Sequence, residues 1–231
     1  MGTERNMFPE ATAEGAKRRA ELAPNQIDTW RKFSRAVFKS NALDSKTKHI
    51  IAIAVGHVTQ CPYCIRAHVP HAIRKGATRE EIFEAIWIAA QGRANGGYQQ
   101  ASIAVHQMEI NESKVEEDRV DYVDNSHEMA EKKAKLAPDI VDTWKDFSNS
   151  VFEAGALDEK TKRLIALAIS HITQCSTCIE DHTKMANING ATNEEMMEAI
   201  WVAAEMRAGA AYSYSIIAFD EIEKYMDEHN L

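Results

Sequence analysis

The sequence predicts an all-α protein that consists of two tandem helical domains. The chain repeats itself, because segment 20–48 (AELAPNQIDTWRKFSRAVFKSNALDSKTK) aligns without a gap with segment 134–162 (AKLAPDIVDTWKDFSNSVFEAGALDEKTK). Apolar residues recur at helical spacing in both copies, and no segment carries a β-hairpin signal. We place the junction in the acidic stretch 109–126, which gives domains of residues 1–113 and 114–231.

The helices of the first copy can be followed in chain order. Ile27, Trp30, Phe33 and Val37 are three or four residues apart, which indicates an amphipathic helix. Asp44 is a candidate N-cap for the next helix, whose Ile-rich middle could also be a buried strand. Its length and alanine content favour a helix.

Start and stop signals define the remaining helices. Pro62 suits the first position of a helix, and Gly76 suits the position just after its end. A capping box then opens the following helix in each copy, at Thr78 with Glu81 and at Thr192 with Glu195. We therefore expect five or six helices in each domain. We also expect four tryptophans to anchor the two cores: Trp30, Trp87, Trp144 and Trp201.

Composition restricts the partners and the location of the protein. The chain has 231 residues, with 27 Lys and Arg against 35 Asp and Glu, so its net charge of -8 argues against nucleic acid as a partner. No apolar run is long enough to cross a bilayer, and the polar N terminus lacks the core of a signal peptide. We expect a cytoplasmic protein that does not bind membranes.

The four cysteines lie in two matching motifs, HVTQCPYCIRAH (57–68) and HITQCSTCIEDH (171–182). If a helix begins near Cys61, this residue lies at or beside the N-cap, and Cys64 and His68 share one face of the helix. The unpaired N–H groups and partial positive charge of a helix start favour a thiolate. This effect of roughly 0.3–2 kcal/mol lowers a thiol pKa by at most about 1.5. Stronger activation requires a second group, and His68 is the nearest candidate.

Two other interpretations of the motifs remain open. Cys61, Cys64, His68 and His57 could hold zinc, although structural zinc sites usually take two pairs of ligands from separate segments. The cysteines could also be inert and buried, although both copies keep them while the residues between them change. The sequence favours redox thiols, so we assign no metal ligand and no cofactor.

The two motif regions, LDSKTKHIIAIAVGHVTQCPYCIRAH with KGATREEIFEAIWIAA and LDEKTKRLIALAISHITQCSTCIEDH with NGATNEEMMEAIWVAA, resemble the carboxymuconolactone decarboxylase superfamily. They are most similar to its AhpD-like alkylhydroperoxidase branch. The resemblance implies an all-α fold, a hydroperoxide substrate, a dithiol reductant and a homo-oligomer, here a dimer, trimer or hexamer. By the same resemblance, the peroxidatic residues are Cys64 and Cys178, the resolving residues are Cys61 and Cys175, and the proton-relay residues are His68 and His182.

The chain departs from that branch at one position in each copy. Twelve residues before the first cysteine, the branch has a relay glutamate, whereas this sequence has His49 and Arg163. His49 could still carry a proton, while Arg163 stays charged and would favour the Cys178 thiolate. For His57 and His171 a structural role at the helix end is favoured over contact with sulfur.

Two classes of function follow from these residues. The first is a peroxidase or thiol–disulfide oxidoreductase. The second is a redox-sensing or protein-binding module with slow chemistry, which the missing relay glutamate favours. A metal-binding protein is the third alternative.

Overall fold

The computed structural model describes residues 8–109 and 126–230, and every regular element in these ranges is an α-helix. The all-α prediction is confirmed, whereas the predicted junction at 113/114 lies outside the described residues. The first half contains α1 (Ala13–Leu22), α2 (Pro24–Phe38), α3 (Ser45–Val58), α4 (Pro62–Arg74) and α5 (Arg79–Glu109). The second half contains α6 (His127–Leu136), α7 (Pro138–Phe152), α8 (Glu159–Thr173), α9 (Ser176–Ile188), α10 (Asn193–Ser213) and α11 (Ser215–His229).

Local capping signals set the helix boundaries as the sequence predicts. The Asp44 carboxylate accepts a 2.7 Å hydrogen bond from the Thr47 N–H, so the Ile-rich segment that follows is helix α3. Pro62 is the first residue of α4, and Gly76 has a φ of 92° just after that helix ends. Thr192 and its partner Glu195 form a complete capping box at the start of α10.

The two halves interlock around a shared core. Helices α3 and α8 lie at the centre, pack against each other, and bury the apolar side chains in the middle of both helices. The long helix of each half packs on both halves. Helix α5 packs on α3 of its own half and on α7 and α8 of the other, and α10 packs on α8 of its own half and on α2 and α3 of the other. Each half is therefore covered in part by the long helix of the other.

Two equivalent ion pairs join each long helix to the other half. Glu84 on α5 accepts hydrogen bonds from two backbone N–H groups just before α8, and it lies 3.1 Å from the Lys162 ammonium. Glu198 on α10 binds the loop before α3 in the same way, and it lies 3.0 Å from the Lys48 ammonium. Both lysines are almost fully buried, so the two ion pairs lie within the interface between the two halves.

The prediction that the four tryptophans anchor the two cores is wrong. Trp30 and Trp144 are only half-buried and are not among the buried core residues. Trp87 is 56% exposed and Trp201 is 51% exposed, so neither is a core anchor. They lie instead at the edge of the exchanged packing, where the Trp87 ring contacts Phe147 and the Trp201 ring contacts Phe33 at centroid distances of 6.0 and 5.9 Å.

In the described ranges, none of the helices has the length and apolar character that crossing a membrane requires.

Candidate active sites

Each cysteine pair lies at the N terminus of a helix. Cys61 is the N-cap of α4, and its sulfur accepts a 3.1 Å hydrogen bond from the Cys64 N–H. Cys175 is the N-cap of α9, and its sulfur accepts a 3.2 Å hydrogen bond from the Cys178 N–H. The two residues of each pair are joined as a disulfide. This matches the helix start that the motif predicts, and it places the N-cap sulfur in the positive potential of the helix end.

A tight turn after the preceding helix produces this placement. The residue before each N-cap cysteine has a left-handed backbone, with a φ of 56° at Gln60 and 55° at Gln174. The turn allows the Cys61 N–H to bond the Gly56 carbonyl at 3.0 Å and the Cys175 N–H to bond the Ser170 carbonyl at 3.2 Å. Both motifs therefore present their sulfurs with the same geometry.

The four sulfur-bearing residues are all buried, but not equally. Cys61 and Cys175 are 0% and 1% exposed, whereas Cys64 and Cys178 are 6% and 3% exposed. The second cysteine of each motif is the one that a small molecule can approach more readily.

Three histidines and a phenylalanine pack together beside the first dithiol. The Nδ1 atoms of His49 and His68 are 3.0 Å apart, so one ring must donate a proton and the other must accept it. The Phe38 ring is stacked on the His49 ring at a centroid distance of 4.8 Å, and the His71 ring is stacked on the His49 ring at 5.0 Å. Burial, followed by repulsion between the rings, lowers the pKa of His68 to about 3 and that of His49 to about 4. Both histidines are neutral at physiological pH.

Arg163 occupies the equivalent place beside the second dithiol. Its guanidinium carbon lies 3.9 Å from the centre of the Phe152 ring, and this ring contacts His182 at 5.6 Å. Burial, followed by repulsion from Arg163, lowers the pKa of His182 to about 4. His49 thus contacts His68 directly, and Arg163 is linked to His182 through the Phe152 ring.

His57 and His171 lie outside this arrangement of relay groups. The Nδ1 of His57 is 2.8 Å from the Ile53 carbonyl oxygen, and the Nδ1 of His171 is 2.9 Å from the Leu167 carbonyl oxygen. Each ring donates to a carbonyl one turn earlier in its own helix. This is the structural role that the sequence favours.

A cavity of about 590 Å³ lies beside His182 and is lined by residues of both halves, whereas neither Cys175 nor Cys178 lines it. Gln91 and Asn95 reach it from α5, while Phe152, Arg163 and His182 reach it from the second half. Within the described part of the chain, three buried atoms on this lining form no hydrogen bond: Gln91 Oε1, Arg163 Nε and His182 Nδ1.

Sequence reasoning missed the residues that reach a site from the opposite half. The Asn95 side-chain amide lies 3.6 Å from the Cys178 sulfur. Gln91 donates a 3.0 Å hydrogen bond to Ser148. Its counterpart in the second copy, Glu205, is a buried carboxyl. Burial raises the pKa of Glu205, and a hydrogen bond from Ser34 partly opposes that rise. The aligned copies differ at these positions, but the difference has meaning only once α5 and α10 are known to cross.

His71 was also missed, because it has no counterpart in the second copy. Its contact with His49 makes it part of the first site. As for the zinc alternative, no group of three or more His, Cys, Asp or Glu side chains in residues 8–109 and 126–230 has a geometry that could hold a metal ion.

Comparison with known proteins agrees with the internal repeat. The model of the carboxymuconolactone decarboxylase family matches the chain twice, over residues 24–107 and 138–221. The chain belongs to this family. A crystal structure of a candidate gamma-carboxymuconolactone decarboxylase subunit from Burkholderia xenovorans LB400 superposes with a TM-score of 0.72 at 21% identity, over 94% of this chain and 92% of that one. At this identity the likeness shows the fold alone.

Two curated relatives of this family member each match about the length of one half. The "uncharacterized protein 4 in cox locus" of Paracoccus denitrificans is 53% identical over 93 residues, which are 39% of this chain and 84% of that protein. An uncharacterized protein of Haemophilus influenzae is 36% identical over 86 residues, which are 37% of this chain and 76% of that protein. Both relatives correspond in size to a single repeat.

Proposed function

We propose that this family member is an AhpD-like thiol peroxidase, which reduces hydrogen peroxide or an alkyl hydroperoxide at two dithiol sites. The observation that carries the proposal is the same in both halves: two cysteines within disulfide-bonding distance at a helix N terminus, with a neutral histidine one turn beyond the second. The proposal includes a cytoplasmic location, a homo-oligomer and a dithiol reductant.

The reaction balances without a cofactor. The thiolate of the second cysteine attacks the terminal oxygen of ROOH, so an S–O bond forms, the O–O bond breaks, and ROH leaves after taking up a proton. The first cysteine then attacks the sulfenic acid, which forms the disulfide and releases water. An external dithiol reduces this disulfide and becomes a disulfide itself.

Two features of the sites support the first step. The helix N terminus favours a negative sulfur, although by no more than about 2 kcal/mol. His68 and His182 have pKa values lowered to about 3 and about 4, so each ring is neutral across the physiological range. The lowered pKa also makes each ring a weak base, so it can pass a thiol proton on to a further acceptor but does not retain it.

The two cysteines of a pair are assigned different roles on different grounds. Cys64 and Cys178 are the more exposed sulfurs and are the peroxidatic residues by resemblance. Cys61 and Cys175 receive the N–H hydrogen bond, which also favours a thiolate there. Trapping the sulfenic acid with dimedone in Cys61→Ser and Cys64→Ser proteins separates the two assignments. We expect the adduct on Cys64 in the first variant and little adduct on Cys61 in the second.

The decisive experiment is a thiol count before and after peroxide treatment, with mass spectrometry to map the bridges. Loss of four thiols as Cys61–Cys64 and Cys175–Cys178 bridges, faster than for a free thiol at the same pH, is the expected result. Loss of two thiols would assign peroxidase chemistry to one half only. Retention of all four would contradict the proposal.

A redox-sensing module with slow chemistry is the second candidate, and burial is the observation that favours it. No sulfur-bearing residue of either motif is more than 6% exposed, and no glutamate occupies the relay position. Saturable turnover of peroxide with a dithiol reductant would exclude this alternative. A single stoichiometric oxidation without turnover would support it.

A further inference from the structure

We propose that Asn95, which comes from the first half of the chain, is a catalytic residue of the second dithiol and stabilises the Cys178 thiolate through a hydrogen bond from its amide. The Asn95 Nδ2 atom lies 3.6 Å from the Cys178 sulfur, within the range for a hydrogen bond to sulfur. A disulfide sulfur is a weak acceptor, and a thiolate is a stronger one because hydrogen bonds to charged groups are stronger. Reduction of the bridge therefore strengthens this contact.

A glycine notch in α5 holds Asn95 at that distance. A Cβ atom at Gly92 would lie 2.7 Å from Ile169 Cγ2, and one at Gly96 would lie 3.2 Å from Thr173 Cβ. Helices α5 and α8 can approach this closely only because both positions lack a side chain. The notch flanks Asn95, so the close approach sets where its amide reaches.

Among residues 8–109 and 126–230, no side-chain amide is equivalently hydrogen-bonded to a sulfur of the first dithiol. The residue that corresponds to Asn95 is Gly209, where an added Cβ would lie 3.3 Å from the Trp30 ring. The notch glycines correspond to Met206 and Ala210, which are both buried in the packing of α10. The two dithiols are therefore not equivalent, and only the second receives an amide donor from the opposite half.

The electrostatic surroundings allow the contribution of Asn95 to be measured separately. Helix α5 contributes only neutral amide side chains to the cavity that Asn95 and His182 line: Gln91, Asn95 and Gln99. The charged and titratable groups come from the second half: Glu153, Glu159, Arg163, Asp181, His182 and Lys184. A change at Asn95 consequently removes a hydrogen bond to Cys178 without removing a charge.

The inference rests on the proposed function, since it takes Cys178 as the reacting sulfur. Asn95 does not exchange a proton in the peroxidase step. The N–H bond of the Asn95 amide does not break. The amide remains a donor while the sulfur carries first the thiolate charge and then the new S–O bond. The amide thus lowers the free energy of the attacking form in the way that a preorganised donor does.

Single-cysteine proteins test the inference directly. In a protein that keeps only Cys178, with serine at positions 61, 64 and 175, the rate of alkylation by iodoacetamide is measured against pH. Asn95→Ala should move the midpoint of that curve up by about 1–2 pH, which corresponds to loss of a hydrogen bond to a charged group. The rate of oxidation by hydrogen peroxide, measured about 1 pH unit below the alkylation midpoint of the protein with Asn95, should fall by about tenfold.

The matched control is the protein that keeps only Cys64, in which Asn95→Ala should leave the alkylation midpoint unchanged. Circular dichroism and the urea midpoint establish that the variants fold. Asn95→Asp is a second variant of similar size, and its carboxylate should move the Cys178 midpoint up at least as far. An unchanged Cys178 midpoint in Asn95→Ala, or equal shifts for Cys64 and Cys178, would overturn the inference. Slow reaction of unsubstituted Cys178 with peroxide would instead count against the proposed function, because the alkylation curve still reports the hydrogen bond.

Discussion

Removal of the Glu198 carboxylate should destabilise the whole protein, because this group on α10 binds the loop before α3 of the other half. It accepts hydrogen bonds from the Leu43 N–H at 2.8 Å and the Ala42 N–H at 3.3 Å. Its partner Lys48 has a side chain only 1% exposed, and the Glu198 side chain is 21% exposed. Burial opposes ionisation, but hydrogen bonds from Leu43 and Lys48 keep the pKa of Glu198 below its ordinary value. The carboxylate is therefore charged at neutral pH.

The size of the effect follows from what Glu198→Ala would leave behind. The Lys48 ammonium would stay buried, with the Lys39 carbonyl oxygen at 2.6 Å as its remaining hydrogen-bond acceptor in the structure described. Removing one partner of a buried ion pair costs about 3–5 kcal/mol. Because Glu198 is partly exposed, we expect the lower end, about 3 kcal/mol. Glu198→Gln keeps an acceptor for the loop and should cost about half as much.

Urea unfolding at pH 7 measures this loss as the change in midpoint multiplied by the slope of the transition. Asp142→Ala is the matched control, since Asp142 forms an exposed pair with Lys145 at 3.2 Å and should change stability by less than about 0.5 kcal/mol. Adding Lys48→Met to Glu198→Ala should recover part of the loss, because no unpaired charge then stays buried. A loss below about 1 kcal/mol for Glu198→Ala, with no recovery in the double variant, would refute the reasoning.

Two further predictions concern pH and packing. The pKa of His182 is lowered by burial from 6.5 to about 4, so the unfolded chain binds a proton that the folded chain refuses in this range. Stability should therefore fall as the pH drops from 6.5 towards 4, and His182→Gln should remove a share on the order of 2 kcal/mol between pH 7 and pH 5 in urea unfolding. An equally steep pH dependence in the variant would contradict this. Gly92→Ala should cost about 1–3 kcal/mol, because its Cβ would meet Ile169 at 2.7 Å. Gly97→Ala, with no atom within 4 Å of its Cβ, should instead be neutral or stabilise by up to about 1 kcal/mol, and a similar thermal midpoint for both alanine variants would show that the notch is not tight.

The local structure of this protein could be predicted well from its sequence. N-caps such as Asp44, the capping box at Thr192 and the helix start at Cys61 depend on residues three or four positions apart, and the structure has each of them. The internal repeat shows that two copies of one helical unit follow each other, and the family match confirms it. The two motifs could be located for the same reason, since each is a continuous stretch around one helix start.

The crossing of α5 and α10 could not be predicted in this way. Whether each long helix packs only on its own half or also on the other depends on the fit of surfaces more than 50 residues apart in the chain, such as Gly92 against Ile169. For this reason the sequence wrongly predicts that Trp87 is a core anchor, and it does not indicate that Asn95 lies near Cys178. The sequence repeat alone predicts the same chemistry at both dithiols, because it does not show which groups from the other half reach each one.

The sequence by itself determined an all-α tandem fold and two helix-capped cysteine pairs, because hydrogen bonding and periodicity within a helix act over a few residues. Only the tertiary structure decided which groups surround each pair. It lowered the histidine pKa values by burial, which a sequence cannot specify, and it brought Asn95 to one dithiol while Gly209 left the other without an amide. Burial and close approach are properties of packed surfaces, and they arise only when the two halves come together.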